Sequence, residues 1–171
     1  KTRDPKANMV VTTSDHVVMD VPEFQRVMKS ALNFTSHSDA ILTLGMKPTR
    51  PETGYGYIEA DLSAASARNK EIYRVDSFKE KPNLATAEKY VKKSNYLWNA
   101  GIFVWNVETI VESLRSFTPG LADKMDRMSK AFYTRFESET VEDIFPTCEK
   151  ISIDYAVMEK SNKVKVVPSD I

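Results

Sequence analysis

Leu97-Trp98-Asn99-Ala100-Gly101-Ile102-Phe103-Val104-Trp105-Asn106 is the stretch that decides the fold. Ile102, Phe103, Val104 and Trp105 form an unbroken apolar run. Such a run suits a strand buried on both faces, as in the sheets of α/β proteins. Asn99 interrupts the apolar series where the strand begins. A carboxamide donates and accepts hydrogen bonds at once, which suits the reading of sugar hydroxyls. Ala100 and Gly101 leave room for a ligand or another backbone to approach. A core strand whose Asn merely caps a turn is the other reading of the same residues.

Downstream, Asn106 is placed to cap a helix with Val107, Ile110, Val111, Leu114 and Phe117 on one face. Pro119 opens another, with Leu121, Ala122, Met125, Met128 and Phe132 at near-helical intervals. Its methionines read as packing. Residues 137–145 form a short acidic helix, and residues 164–167 a last strand. Ser152 reads as the cap of a helix over residues 153–160. Asp154 lies in its first turn, where a carboxylate meets the positive helix end, so its expected role is structural.

Upstream, Asn83 caps a helix whose apolar side is Leu84, Ala87, Tyr90 and Val91. Residues 72–81 alternate as in a half-buried strand, and Pro82 stops it. Residues 57–61 form a strand, and residues 63–70 an exposed turn. Residues 9–13 and 40–46 read as buried strands flanking a helix over residues 20–36. In that helix Asp20 and Glu23 have capping-box spacing. Its Phe24, Val27, Met28, Ala31 and Leu32 line one face. Strand, helix, strand implies a parallel unit with a right-handed crossover.

The chain has 171 residues, enough for one sizeable core. Lysine plus arginine number 24 and aspartate plus glutamate 24, giving zero net charge. No basic block stands out, which argues against nucleic acid as a partner. No apolar run is long enough to span a membrane, and the first residues carry no signal-peptide pattern. The single cysteine, Cys148, excludes an internal disulfide and a cysteine-built zinc site. A reducing, cytoplasmic setting is expected. The chain starts at Lys1 without a methionine, and is expected to be cut from something longer.

Several residues carry candidate chemistry. Asp15 and His16 follow the strand of residues 9–13, and α/β sheets gather ligands outside the carboxyl ends of their strands. Asp15 reads either as a ligand for a hard cation such as magnesium or as a turn aspartate bonded to its own backbone. His16 has no partner nucleophile and reads as structural. Residues 48–57 hold Pro48, Pro51, Gly54 and Gly56, a loop of defined shape that matches neither phosphate-loop pattern. Gly56 would let backbone lie against a ligand. Glu80 could accept from sugar hydroxyls and Lys81 could pair with a phosphate. A solvated Glu-Lys pair, on opposite faces of a persisting strand, is the alternative.

Five stretches, taken together, resemble one family. They are Ser14-Asp15-His16, Pro51-Glu52-Thr53-Gly54-Tyr55-Gly56-Tyr57-Ile58-Glu59, Phe78-Lys79-Glu80-Lys81-Pro82, Trp98-Asn99-Ala100-Gly101-Ile102-Phe103 and Ser152-Ile153-Asp154-Tyr155-Ala156-Val157-Met158-Glu159-Lys160. Their wording and order are similar to the mannose-1-phosphate guanylyltransferases, a group of sugar-nucleotide pyrophosphorylases. The resemblance implies a Rossmann-like three-layer α/β/α fold with a mixed, mostly parallel sheet. It implies formation of GDP-mannose and pyrophosphate from GTP and mannose 1-phosphate, by magnesium-assisted in-line attack on the α-phosphorus. By the same resemblance Asp15 is a magnesium (Mg2+) ligand, and Gly56 presents backbone to the sugar. Glu80 and Asn99 hold sugar hydroxyls, and Lys81 contacts the sugar phosphate.

Thr13 stands where the family usually has proline before the Asp-His pair. The family's amino-terminal glycine-rich signature and its Trp-Ser-Asp segment, which carries a second magnesium ligand, are not in the chain. The expectation is therefore the sugar-phosphate-binding portion, residues 1–171, of one catalytic domain, inactive by itself. Exposed cut edges of the sheet make self-association into a homo-oligomer one state open to it. Two other readings stay open: a pyrophosphorylase making dTDP- or UDP-sugars, and a non-catalytic regulatory subunit that keeps the sugar pocket.

Overall fold

The computed structural model describes residues 4–170; residues 1–3 and Ile171, read above as chain ends, lie outside them. The elements follow in the order β1 (Asn8–Val11), α1 (Val21–Thr35), β2 (Ile41–Met46), β3 (Tyr57–Ala65), β4 (Tyr73–Lys79), α2 (Leu84–Val91), β5 (Tyr96–Asn106), α3 (Val107–Phe117), α4 (Pro119–Ser129), α5 (Glu137–Ile144) and β6 (Val164–Pro168). A 3-10 turn covers Phe145–Thr147, and a single π-helical turn covers Asp154–Met158.

The decisive stretch is β5, the longest strand at 11 residues. Alternation along it sends Ile102 and Val104 into one cluster with Val27, Met28, Ala31 and Phe34 of α1. Phe103 and Trp105 enter another, with Ile110 of α3 and Ala156, Val157 and Met158 of the π-turn. The continuous apolar run is thus the mark of a strand covered on both faces.

The sheet is mixed, in the order β1-β5-β2-β6-β4-β3, with β3 also pairing β5. The expected mostly parallel sheet is corrected here. Among the described residues only β2 and β6 pair in parallel, and the other five pairings are antiparallel. β1 and β2 do run the same way across α1, but antiparallel β5 lies between them. The hairpin of β3 and β4 adds further antiparallel pairing. Apolar patterning reports which residues are buried and is silent on strand direction, so the expectation failed there.

β1 has β5 as its one described neighbour, and Met9, Val10 and Val11 are exposed rather than buried. β3 runs on to Ala65, into residues expected to form a turn. Leu84, expected on the apolar side of α2, is exposed. The helix caps form as expected: Asp20, Asn83 and Asn106 each accept from the backbone N–H three residues on. The capping box is only half made, because Glu23 turns its carboxylate to Arg26 at 2.7 Å. Among the described residues no helix is long and apolar enough to cross a membrane.

Gly45 sits in β2 between β5 and β6. A Cβ placed there would stand 2.7 Å from both Leu97 Cδ1 and Val166 Cγ2. Neither neighbour can withdraw without disturbing the core. Gly45→Ala is expected to lower stability by about 1–3 kcal/mol through overpacking, readable as a lower midpoint in urea.

Candidate active site

β5 is irregular where Asn99 sits. Between the pairs Thr43–Phe103 and Gly45–Asn99, Leu44 alone faces Ala100, Gly101 and Ile102. The extra residues form a bulge, and Gly101 adopts φ +68, a left-handed conformation that glycine takes without strain. On the other edge of β5, β3 pairs along Tyr96, Leu97 and Trp98, and β1 from Phe103 onward. Residues 99–102 therefore lie at a break in the sheet edge.

The side chain of Asn99 is held at both ends of its amide. Its Oδ1 accepts from the buried Thr43 hydroxyl at 2.8 Å and from the Gly101 N–H at 3.2 Å. Its Nδ2 donates to Asp154 Oδ1 at 3.2 Å. Its backbone N–H donates to the Gly56 carbonyl at 2.8 Å. The amide that the sequence marked as both donor and acceptor thus has its oxygen committed inside the protein. One N–H of Nδ2 is left to donate.

Gly56 stands at the end of a pinned loop. Glu52 Oε1 accepts from the N–H groups of Thr53 and Gly54, both at 3.0 Å, and the Tyr57 hydroxyl donates to the Glu52 carbonyl. The Gly54 N–H and the Arg50 guanidinium hold the Glu52 carboxyl below its ordinary range. Arg50 also lies over the Trp98 ring, and Tyr55 meets that ring edge-on. This delivers Gly56 against Glu80 and Asn99 with no room for a side chain. A Cβ on it would stand 2.5 Å from Glu80 Oε2 and 3.3 Å from Asn99 Cβ. Gly56, Glu80 and Asn99 are therefore one cluster.

The strand ends at Lys79, so Glu80 and Lys81 do not take opposite faces. Lys81 has φ +43, an uncommon conformation for a residue with a side chain. The turn brings its Nζ to 3.7 Å from Glu80 Oε1. Glu80 keeps only 10% of its side chain exposed, whereas Lys81 keeps 59%. Burial, then the charge of Asp154, push the Glu80 carboxyl above its ordinary range, against the pull of Lys81. Burial likewise pushes Asp154 up, again opposed by Lys81. The cluster thus holds the crowded carboxyl groups of Glu80 and Asp154, with Glu159 beside them, one amide donor and one accessible ammonium.

An acid whose carboxyl is pushed up is favoured by the fold in its protonated form. That contribution is present below the ordinary carboxylate range and lost as pH rises through the raised value. Glu80→Gln removes the ionisation. Its melting temperature is expected to exceed wild type at about pH 7.5, with the gap closing towards about pH 4. A gap that widened on acidification would refute the buried, strained carboxylate.

Asp15 lies in the exposed segment between β1 and α1. Thr13 Cγ2 of that segment lies 3.4 Å from the Cβ position of Gly101, so the segment passes over the bulge. Among the described residues no group of three or more His, Cys, Asp or Glu side chains could hold a metal. A single exposed carboxylate fits magnesium only in its usual manner, with substrate phosphates and water completing the shell.

Asp154 has a partner beyond the helix start expected for it. The segment is not a capped α-helix: no side chain caps it, and the Glu159 N–H donates to the Asp154 carbonyl in a π-type turn. The carboxylate accepts from its own backbone N–H and from the Ser152 side chain at the start of the turn, as expected of a first-turn acid, and in addition accepts from Asn99. Thr43 and Glu159 were also missed. The Thr43 hydroxyl holds Asn99, and Glu159 Oε1 accepts the Glu80 N–H at 2.9 Å and pairs with Lys79 at 3.6 Å. The one signal for Asp154 and Glu159 was their place in the fifth resembling stretch; Thr43 had none.

Comparison with known proteins agrees with this architecture. The family described as "Nucleotidyl transferase" matches residues 1–144. A protein of Escherichia coli named mannose-1-phosphate guanylyltransferase is 36% identical over 100% of this chain and 37% of its own length. A solved structure from Thermus thermophilus, described as mannose-1-phosphate geranyltransferase, is 33% identical with a TM-score of 0.78, over 94% of this chain and 44% of that one. One from Helicobacter pylori, described as mannose-6-phosphate isomerase, is 26% identical with a TM-score of 0.78, over 96% of this chain and 62% of that one. The chain thus spans little more than a third of the length of that curated relative. On the family match and the shared α/β architecture, this chain belongs to the nucleotidyl transferase family.

Proposed function

We propose that the chain is the sugar-phosphate-binding portion of a catalytic domain that makes GDP-mannose from GTP and mannose 1-phosphate. The reading is carried by the cleft in which Gly56, Glu80 and Asn99 adjoin and Lys81 projects its ammonium. The names of the relatives supply the substrates. Hydroxyls of a sugar meet acceptors in Glu80 and a donor in Asn99, while bare backbone at Gly56 admits the ring. Lys81 meets the sugar phosphate, for which its accessible ammonium is suited.

Mannose 1-phosphate supplies the nucleophile. One of its phosphate oxygens attacks the α-phosphorus of GTP in line, a new P–O bond forms, the bond to the β-phosphate breaks, and pyrophosphate leaves. Such transfer needs orientation and charge neutralisation more than a covalent nucleophile. Asp15 would hold magnesium, which when bound supplies part of that neutralisation. Lys81 and the pinned Gly56 loop fix the attacking phosphate. The apolar clusters on both faces of the sheet favour the finer architecture as well, a Rossmann-like three-layer domain completed by the rest of the parent protein. A lone cysteine favours a reducing, cytoplasmic setting.

The test is pyrophosphate release by the full-length protein, with GTP, UTP and dTTP each paired with mannose 1-phosphate and with glucose 1-phosphate. The reading requires preference for GTP with mannose 1-phosphate. Preference for UTP or dTTP with glucose 1-phosphate would replace it with a different sugar nucleotide, and no release with any pair would favour a regulatory subunit.

A further inference from the structure

We propose that Asp154 is a positioning residue of the sugar cleft, locking the Asn99 carboxamide so that Asn99 meets a sugar hydroxyl as a donor only. The inference rests on the reading of the cleft as a sugar site.

The two ends of the Asn99 amide have opposite surroundings. Its oxygen takes a hydroxyl and an N–H, from Thr43 and Gly101. Its nitrogen faces the Asp154 carboxylate. Flipping the amide would set oxygen against a carboxylate and nitrogen against the Gly101 N–H. Both contacts would be mismatched, so one orientation is imposed. The bond to Asp154 is charge-assisted and polarises the amide, strengthening the remaining N–H as a donor.

The turn that carries Asp154 is built for this. Asp154 and Glu159 are five residues apart, joined by the Glu159 N–H to Asp154 carbonyl bond of the π-turn at 2.9 Å. The widened turn lets both side chains reach the cleft: Asp154 takes Asn99, and Glu159 takes the Glu80 N–H at 2.9 Å. Single π-turns recur at functional sites. Here one turn ties the strand that supplies Asn99 to the corner that supplies Glu80. Ala156, Val157 and Met158 anchor it in the core.

The experiment is a double-mutant cycle in the full-length protein, reading KM for mannose 1-phosphate, KM for GTP and kcat. Asp154→Ala is expected to raise KM for mannose 1-phosphate about tenfold, the scale of one charge-assisted hydrogen bond. KM for GTP should stay within about threefold on the same grounds. In the Asn99→Ala background, Asp154→Ala should lose most of its effect, leaving only what its charge does to Glu80. Asp154→Asn retains an acceptor and should recover most of the loss. Additive effects of the two alanine variants would overturn the proposal, as would wild-type KM in Asp154→Ala. So would equal losses for both substrates, or Asp154→Asn as impaired as Asp154→Ala with unchanged melting temperature. If the wild-type protein instead prefers another sugar 1-phosphate, the substrate reading fails. The same cycle run with that sugar still decides the role of Asp154.

Discussion

Lys81→Ala in the full-length protein is expected to raise KM for mannose 1-phosphate about ten- to a hundredfold, leaving KM for GTP nearly unchanged. A hydrogen bond between charged groups is worth about 1.5–3 kcal/mol, and each 1.4 kcal/mol is a factor of ten. The Lys81 ammonium is available for such a contact because 59% of the side chain is exposed. Its partner within the protein, Glu80 at 3.7 Å, is a loose one. Backbone strain does not confound the comparison. Lys81 holds φ +43, and alanine has the same backbone preferences there, so the variant keeps the same cost. A second signature separates this from a folding defect. Lys81 pulls both the Glu80 and the Asp154 carboxyl groups down. Removing it lets both rise, so the acid limb of the pH–rate profile should move to higher pH. Lys81→Arg should retain much of the binding and the original limb. Equal loss for GTP and mannose 1-phosphate would remove Lys81 from the phosphate contact.

Local chemistry was legible in the sequence, and long-range pairing was not. The run Ile102 to Trp105 predicted a strand covered on both faces, and it is one. Asp20, Asn83 and Asn106 announced helix starts because a cap is a contact between near neighbours in sequence. Strand direction has no such local signal. β5 lies between β1 and β2, although two strands and a helix separate it from β2 in sequence, and no residue in its run says so. The same limit applies to the site. Gly56, Glu80 and Asn99 were singled out by residue type and by resemblance to a family, and the structure sets them side by side. Asp154 was read from its immediate neighbours as the acid of a helix start. Its partner Asn99 lies 55 residues earlier, and only the folded sheet brings the two together. Thr43 reads as one more β-branched residue in a buried strand. Its hydroxyl nevertheless holds the Asn99 amide from inside the protein.

Gly56→Ala is expected to abolish most mannose 1-phosphate recognition while leaving the fold nearly as stable as before. The added methyl would stand 2.5 Å from Glu80 Oε2, a separation that no carbon–oxygen contact tolerates. It would also be wedged at 3.3 Å from Asn99 Cβ and 3.4 Å from Phe78 Cζ, so it has no direction of retreat. Of the three neighbours only the Glu80 carboxylate is the free end of a flexible side chain, and it is the one that moves. Leaving the cleft costs the protein little, because burial already disfavours that carboxylate in its charged form. The ligand fares worse. It loses the Glu80 acceptor, worth about 1.5–3 kcal/mol. That amounts to a rise in KM of about ten- to a hundredfold. Calorimetry and steady-state kinetics on the same preparation separate the two effects. A melting temperature close to wild type with lost mannose 1-phosphate affinity is the expected pair. A large drop in melting temperature would mean that Gly56 serves the fold, and near-normal KM would mean that neither Gly56 nor Glu80 touches the sugar.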